Sequence, residues 1–255
     1  MSSWGDLTAE LDHWADAGRN AVFWWRDDDA IEPTSALEHL LALQREAGVP
    51  VAIAVVPATA VPALSDILSD MHVDILQHGY AHRNFRSSGD RKSELGADRD
   101  LWDIAGELAT GRGRLFDIFG EGGWVEAIVP PWNRIHPSVM SLLPGLGYHG
   151  ISTFAARPNV EPVPGLTAVN THIDIIDWHG TGGFAGNTSN LAAAIAHLVA
   201  KREGAADAGE ATGLLTHHLT HDQGCWDFIR EFIDRTASHP AARWMSARDL
   251  FPAPA

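Results

Sequence analysis

The chain has 255 residues and a formal net charge of −15, with 18 Lys and Arg against 33 Asp and Glu. Basic residues are too dispersed to follow a phosphate track, which excludes nucleic acid as an expected partner. No apolar run reaches the roughly 18 residues that span a bilayer, so no membrane partner is expected, and the single Cys225 cannot form an internal disulfide or a thiolate-rich zinc site.

The residues after Met1 lack the basic-then-apolar order of a signal peptide, so a cytoplasmic location is expected. Trp4, Leu7, Leu11 and Trp14 recur at spacings of three and four, which predicts an amphipathic helix over residues 3–17. Residues 21–25, Ala-Val-Phe-Trp-Trp, break off at Arg26 and three aspartates, the pattern of a buried strand whose C-terminal end meets a polar site. A helix from Pro33 to Glu46, closed by Gly48, leads to a second buried strand at 51–56 that Pro57 stops. A short helix over about 62–71 precedes a third strand at 73–77, and the polar residues 86–98 read as a mobile loop. A helix at 99–119, a strand at 126–129, a helix near 137–143 and strands at 150–154 and 167–172 follow. A helix at 187–202, a small-residue loop at 204–212, a strand at 213–216 and a helix at 226–236 complete the pattern.

Seven strands alternating with helices predict the α/β class, a parallel sheet covered by helices. No Gly-x-Gly-x-x-Gly follows the first strand, which counts against an open dinucleotide-binding sheet. The polar clusters instead follow strands, where barrel enzymes keep their chemistry. A single domain over 1–255 is expected, with its core at about 20–250 behind an N-terminal helix at 1–19.

Three of those clusters could share one metal ion. Asp27, Asp28 and Asp29 repel one another, so holding them together requires a cation or an Arg. His78 and His82 are four residues apart, which on a helical turn puts both on one face. His217 and His218 end the last strand on opposite faces, so one of them enters the site, where an imidazole can act as general acid. Gln77 and Asn84 are candidate supports for the histidines, and Asp222 either orients a histidine or caps the next helix. Two prolines stiffen Val129-Pro130-Pro131-Trp132, and a rigid backbone N–H there would suit an oxyanion. The segment Asp174 to His179 either lines a cleft rim or packs. Carboxylates beside imidazoles suit zinc, cobalt or nickel, with an unliganded carboxylate as base: a metal-dependent hydrolase.

In this order the segments resemble the polysaccharide deacetylases, the NodB-homology group of carbohydrate esterase family 4. The Asp-Asp pair, the His-x-x-x-His and Leu215-Thr216-His217 match that family's motifs well; the Pro-Trp and Asp174-to-Trp178 segments match in part. The resemblance implies a distorted (β/α)7 TIM-like barrel, in agreement with the strand count. It also implies hydrolysis of a C–N amide bond, most simply deacetylation of an N-acetylated sugar or a related small amide, with one divalent ion, zinc or else cobalt or nickel. Small Ala30 stands where the family has Gly after its pair. On that register Asp28 takes the place of the base and Asp29, with His78 and His82, that of the metal ligands. His217 takes the place of the acid and the backbone N–H of Trp132 that of the oxyanion donor. A register slipped by one makes Asp27 the base and Asp28 the ligand, and His218 is the alternative acid. Val129 replaces the Arg that orients the family's base; Arg26 or Arg134 could substitute. Two rival readings remain: a non-catalytic carbohydrate-binding protein on the same fold, and a non-haem iron oxygenase, which also uses two histidines and one carboxylate. The partner expected is a small-molecule or saccharide substrate.

Overall fold

The structure, a computed structural model, describes residues 2–70 and 72–253. Its elements in chain order are α1 (Trp4–Asp16), β1 (Ala21–Ala30), α2 (Ser35–Ala47), β2 (Val51–Val55), α3 (Leu64–Ile67) and β3 (Val73–His78). Next come α4 (Leu101–Phe119), β4 (Ala127–Val129), α5 (Pro137–Met140), β5 (Gly150–Ile151), β6 (Thr167–Ala168) and β7 (Ile173–Asp174). The last are α6 (Asn187–Glu203), β8 (Thr212–Thr216), α7 (Gln223–Ala237), β9 (Ala242–Trp244) and α8 (Ala247–Leu250). Short 3₁₀ turns at Pro131–Asn133 and His218–Thr220 follow β4 and β8.

Helix ends lie where the sequence supplies caps. The Thr34 hydroxyl accepts the Leu37 N–H at 3.1 Å, and Gly48 closes α2 at φ 66°, a conformation that costs glycine no side-chain clash. Asp222 caps α7 through the Cys225 N–H at 3.0 Å, so capping, not orienting a histidine, is its direct role. The expected helix over 62–71 shortens to α3; Met71 lies outside the described residues.

All the ladders are parallel, in the order β6-β5-β4-β3-β2-β1-β8-β7, with β9 added to the first residues of β1. The expected strand at 167–172 runs on to Ile175 as one extended stave. Its first half donates to the β5 side, with the N–H of Val169 on Ile151 O and that of Thr171 on Thr153 O. Its second half donates to β8, with the N–H of His172 on Gly213 O and that of Ile175 on Leu215 O. Counted as staves, β1 to β5, this segment and β8 make seven, and the sheet curls into a distorted (β/α)7 barrel. The short β9 is an addition the sequence did not announce, because its three residues alternate too briefly to register.

Alternation along β1 separates two cores. Phe23 and Trp25 point outward into the layer of Leu37, Leu40, Phe228 and Ile229 on the surrounding helices. Each fully buried side chain of this kind contributes about 1.5–3 kcal/mol of transfer free energy. Trp24 points into the barrel, edge-on to Phe251 at 6.1 Å, among Ala52, Ala54 and Ala127. Gly213 leaves room for that indole, because a Cβ there would lie 2.5 Å from Trp24 Nε1. Among the described residues no helix is long and apolar enough to cross a membrane.

Candidate active site

β1 does not stop at Trp25. It runs through the aspartates to Ala30, because β8 pairs with it as far as Asp27↔Thr216 and β2 from Arg26↔Ala52 onward. The three carboxylates therefore alternate instead of clustering. Asp27 shares the outward face of Trp25. Its carboxylate accepts the Thr216 hydroxyl at 2.6 Å and the His218 N–H at 3.0 Å, and it is also bonded to His218 Nδ1. Asp27 and His218 thus bind each other, and the structure does not bring them into the cluster formed by the other candidates.

Asp28 shares the inward face of Arg26. The fully buried guanidinium grips it with both arms, Nε–Oδ1 at 2.9 Å and Nη2–Oδ2 at 3.0 Å. Ser152 Oγ at 2.6 Å and Asn133 Oδ1 at 2.6 Å hold the rest of the guanidinium. The i, i+2 spacing on a strand makes this pairing possible. Arg26 therefore occupies the place opposite the candidate base that Val129 leaves empty. Arg134 does not; it donates to Lys92 O at 2.9 Å.

Asp29 sits within a register break between Asp27 and Ala30, at φ 76°. Its Oδ1 lies 3.2 Å from His78 Nε2 and 3.3 Å from His82 Nε2. The two histidines do not ride a helical turn. His78 ends β3, Gly79 turns the chain at φ 53°, and His82 returns at φ 52°. A left-handed turn brings both rings to one carboxylate at a spacing that also fits a helix. Glu94 fastens that turn: its buried carboxylate accepts the N–H of Tyr80 at 3.0 Å, Ala81 at 2.8 Å and Arg83 at 3.4 Å. A side chain on Gly79 would run into Glu94 and Pro131. Gln77 steadies the Gly79 carbonyl at 2.9 Å, and Asn84 accepts the Ser93 N–H at 3.1 Å; both support the turn without touching an imidazole. Among the described residues five non-glycines have positive φ, and four of them, Asp29, His82, Trp132 and Asn133, are here. Such strain persists where the surroundings over-determine it, as at functional sites.

The donor set fits a divalent ion. A carbonyl oxygen can only accept, so the contact of His78 Nδ1 with Val129 O at 2.9 Å puts the neutral ring's proton on Nδ1. The Nε2 lone pair then faces Asp29 Oδ1, a buried oxygen with no hydrogen-bond partner. Two acceptors face each other, and a cation between them resolves the conflict. The rings of His78 and His82 are 5.0 Å apart and tilted by 46°, so their lone pairs converge, and the three ligand atoms lie within 4.8 Å of one another. The same neighbours set the electrostatics of the ion-free site. Burial works to raise the Asp29 pKa, yet His78 and His82 outweigh it and hold the carboxyl well below its ordinary range. Burial works to lower His78, but Asp28 and Asp29 outweigh it and leave the imidazole raised; burial and the neighbouring His78 push His82 down.

His217 follows β8 with Nε2 4.0 Å from Asp28 Oδ2, across the same inward face. Its N–H rests on His221 Nε2 at 3.2 Å, and the Trp178 indole meets its ring edge-on at 4.8 Å. Trp178 Nε1 donates in turn to Asp174 at 2.8 Å, and burial raises the Asp174 pKa despite the pull of His217. The segment 174–178 therefore lines the site. Trp132 packs 4.4 Å from the ring of His82.

A second group with the same donor types lies at the other end of β8: His172, His197 and Glu210, all buried. Their geometry suits hydrogen bonding better than an ion. The two rings stack 3.4 Å apart at 15°, and both Nε2 atoms approach one Glu210 oxygen, at 3.5 and 3.7 Å. The Gly213 N–H donates to His172 Nδ1 at 3.0 Å, which puts that ring's proton on Nε2, facing Glu210 Oε2 at 3.5 Å. Glu210 also accepts the N–H of Arg157 at 2.9 Å and of Asn170 at 3.1 Å.

No protein-family model matches the sequence, and no curated protein does. Solved structures do match. A presumed polysaccharide deacetylase from Mycobacterium smegmatis aligns with a TM-score of 0.63 at 19% identity, over 93% of this chain and 94% of that one. The chitin deacetylase of Colletotrichum lindemuthianum aligns at 0.58 and 18%, over 92% and 89%. A family 4 acetyl xylan esterase from Clostridium thermocellum, solved with a cobalt ion, aligns at 0.53 and 13%, over 90% of each chain. The chain therefore has the NodB-homology fold of the polysaccharide deacetylases and family 4 carbohydrate esterases.

Proposed function

We propose that the protein is a metal-dependent hydrolase that removes an acyl group, most simply acetyl, from the nitrogen of an N-acylated saccharide. The observation that carries this reading is the unpartnered Asp29 Oδ1 between two converging imidazoles, with Asp28 and His217 4.0 Å apart beside it. In this reading Asp29, His78 and His82 hold one divalent ion, zinc in the first instance. When bound, the ion polarises the acyl oxygen and makes water a stronger acid.

The protein's own groups divide the remaining work. Asp28, pinned by Arg26, takes the proton of the attacking water. The backbone N–H of Trp132, on a turn stiffened by Pro130 and Pro131, donates to the oxygen that gains charge. His217 returns a proton to the nitrogen as it leaves; an amine anion would otherwise be too poor a leaving group. The Arg26 clamp supports catalysis over mere binding, because a carboxylate with a dedicated partner has one fixed orientation.

The structural relatives are named for both amide and ester substrates, so the test offers both. Zinc-reconstituted protein is assayed for amine release from N-acetylglucosamine oligomers and for acetate release from acetylated xylan. Amine release that disappears in Asp28→Asn while metal content stays constant supports the proposal. Acetate release from the ester alone would replace the amide by an ester, and sugar binding without turnover would favour the non-catalytic reading.

A further inference from the structure

Charge is unevenly spread over this acidic chain. Residues 83–92 carry Arg83, Arg86, Arg91 and Lys92 against the single carboxylate Asp90, whereas the whole chain carries −15. The sequence reads this stretch as part of a mobile loop, but the structure ties it to the site. Glu94 at its end takes three N–H groups of the His78–His82 turn, and the Leu95 backbone pairs with Ile135. Arg134, next to the Trp132 turn, donates to Lys92 O at 2.9 Å and accepts the Ser93 hydroxyl on its carbonyl at 3.4 Å. The segment is a strap fastened on both sides of the candidate metal ligands.

The cations on the strap differ in what they face. Arg86 is engaged with Asp90 at 3.4 Å and with Asp98. Arg83, Arg91 and Lys92 are exposed, and among the described residues none of them has a carboxylate partner. Lys92 Nζ lies 5.9 Å from the Trp132 ring, the same ring that packs 4.4 Å from His82. Arg83 follows His82 directly, with its guanidinium 5.0 Å from the Phe85 ring. Lys92 therefore stands beside a ring of the site, Arg83 adjoins the candidate ligand His82 in the chain, and Asp29, the partly buried carboxylate there, lies between two imidazoles.

We propose that Arg83 and Lys92 make the strap a recognition element for an anionic group, a carboxylate or a phosphate, that the substrate carries near its acyl amide. This rests on the hydrolase reading above and narrows its substrate class to acidic N-acyl saccharides. Over most of the surface the protein's field repels such a molecule; local cations at the mouth reverse the sign where it must dock. Neither side chain is asked to touch the reacting atoms.

The test compares three ligands on the zinc-loaded protein: N-acetylglucosamine, its 6-phosphate and its 6-carboxylate. Binding is followed by tryptophan fluorescence and turnover by amine release, in wild type, Arg83→Gln, Lys92→Gln and the double variant. Anionic ligands are expected to bind better than the neutral sugar, and each substitution to erode that advantage about two- to fivefold, the range of an exposed ion pair. The loss appears in KM, with kcat on the neutral sugar unchanged. Raising salt from about 0.02 to 0.3 M shrinks the advantage in wild type but not in the double variant. The phosphate and carboxylate arms show which anion is preferred. Equal binding of all three ligands overturns the proposal, as does an equal loss for all three on substitution. Anion preference without any turnover sinks the hydrolase reading and leaves the strap's recognition standing.

Discussion

Two groups of two histidines and one carboxylate sit at opposite ends of the β1–β8 pair, and their rings are held differently. At the C-terminal end the rings of His78 and His82 are tilted by 46° and aim converging lone pairs at Asp29, with the proton of His78 held away on Val129 O. At the N-terminal end His172 and His197 are stacked at 15°, and the Gly213 N–H turns the proton of His172 inward. Residue types and separations are nearly the same. What differs between His78 and His172 is the partner on Nδ1: a backbone carbonyl leaves Nε2 with its lone pair, whereas a backbone N–H commits Nε2 to donating. Donor identity alone does not make a metal site.

The sharpest way to break this comparison is metal content. His78→Ala with His82→Ala should abolish binding of the single ion and, with it, hydrolysis; His172→Ala with His197→Ala should leave one ion per folded chain, as measured by plasma mass spectrometry. Two ions in the wild type, or loss of the ion on changing the lower pair, would erase the distinction.

Arg26→Met probes how far the upper site depends on its buried support. It leaves the Asp28 carboxylate buried without its partner, which costs about 3–5 kcal/mol in denaturant unfolding. The same variant should lower kcat about a hundredfold while metal content is retained. Unchanged stability would mean that water replaces the guanidinium.

The lower group should show itself in pH dependence. Burial holds the His172 imidazole down, with its pKa lowered to about 4, so the folded protein refuses a proton that the unfolded chain accepts near 6.5. A depressed folded pKa of this kind means that stability falls as pH drops from about 6.5 towards 4, by roughly 3 kcal/mol at most. Glu210, held well below its ordinary range because His172 and His197 outweigh the effect of burial, adds a further loss at still lower pH. His172→Gln should flatten the upper part of that slope without changing activity per folded molecule. A slope that survives in the variant would assign it elsewhere.

The smallest effect is expected at Glu94. Replacing it by Gln leaves one acceptor oxygen for the three N–H groups of the histidine turn, and metal affinity should fall about tenfold. A fall as large as that of the ligand variants would make Glu94 a direct participant.

Much of this was legible from residue order. Seven staves are readable because each is a short apolar run between helical patterns, and the aspartates, His78, His82 and His217 stand out because they follow those runs. The order Arg26-Asp27-Asp28-Asp29 also contained the clamp, since i and i+2 share a strand face, but only if the strand continues through the charges. Its continuation depends on pairing with β2 and β8, which no local pattern encodes. The assignment of Asp27 to the outward face follows from the same fact. Glu94, Ser152 and Asn133 left no signal, because each acts across long sequence separations on a backbone or a guanidinium. The lower group is invisible for a similar reason: His172, His197 and Glu210, far apart in sequence, meet only when α6 packs beside β8.

The stave at 167–175 closes the barrel by changing partners midway, and that has a kinetic meaning. A segment bonded to one neighbour through its first half and to the other through its second can release either half without unpairing the rest of the sheet, so the seam is a natural unit of local opening. Glu210 accepts the Asn170 N–H at the changeover and works as a rivet there. Amides of Thr171, His172 and Ile175 should therefore exchange with solvent deuterium sooner than those of Arg26 and Asp27, which lie between two ladders. The barrel would breathe along one line, on the side where β8 carries His217 to its upper rim.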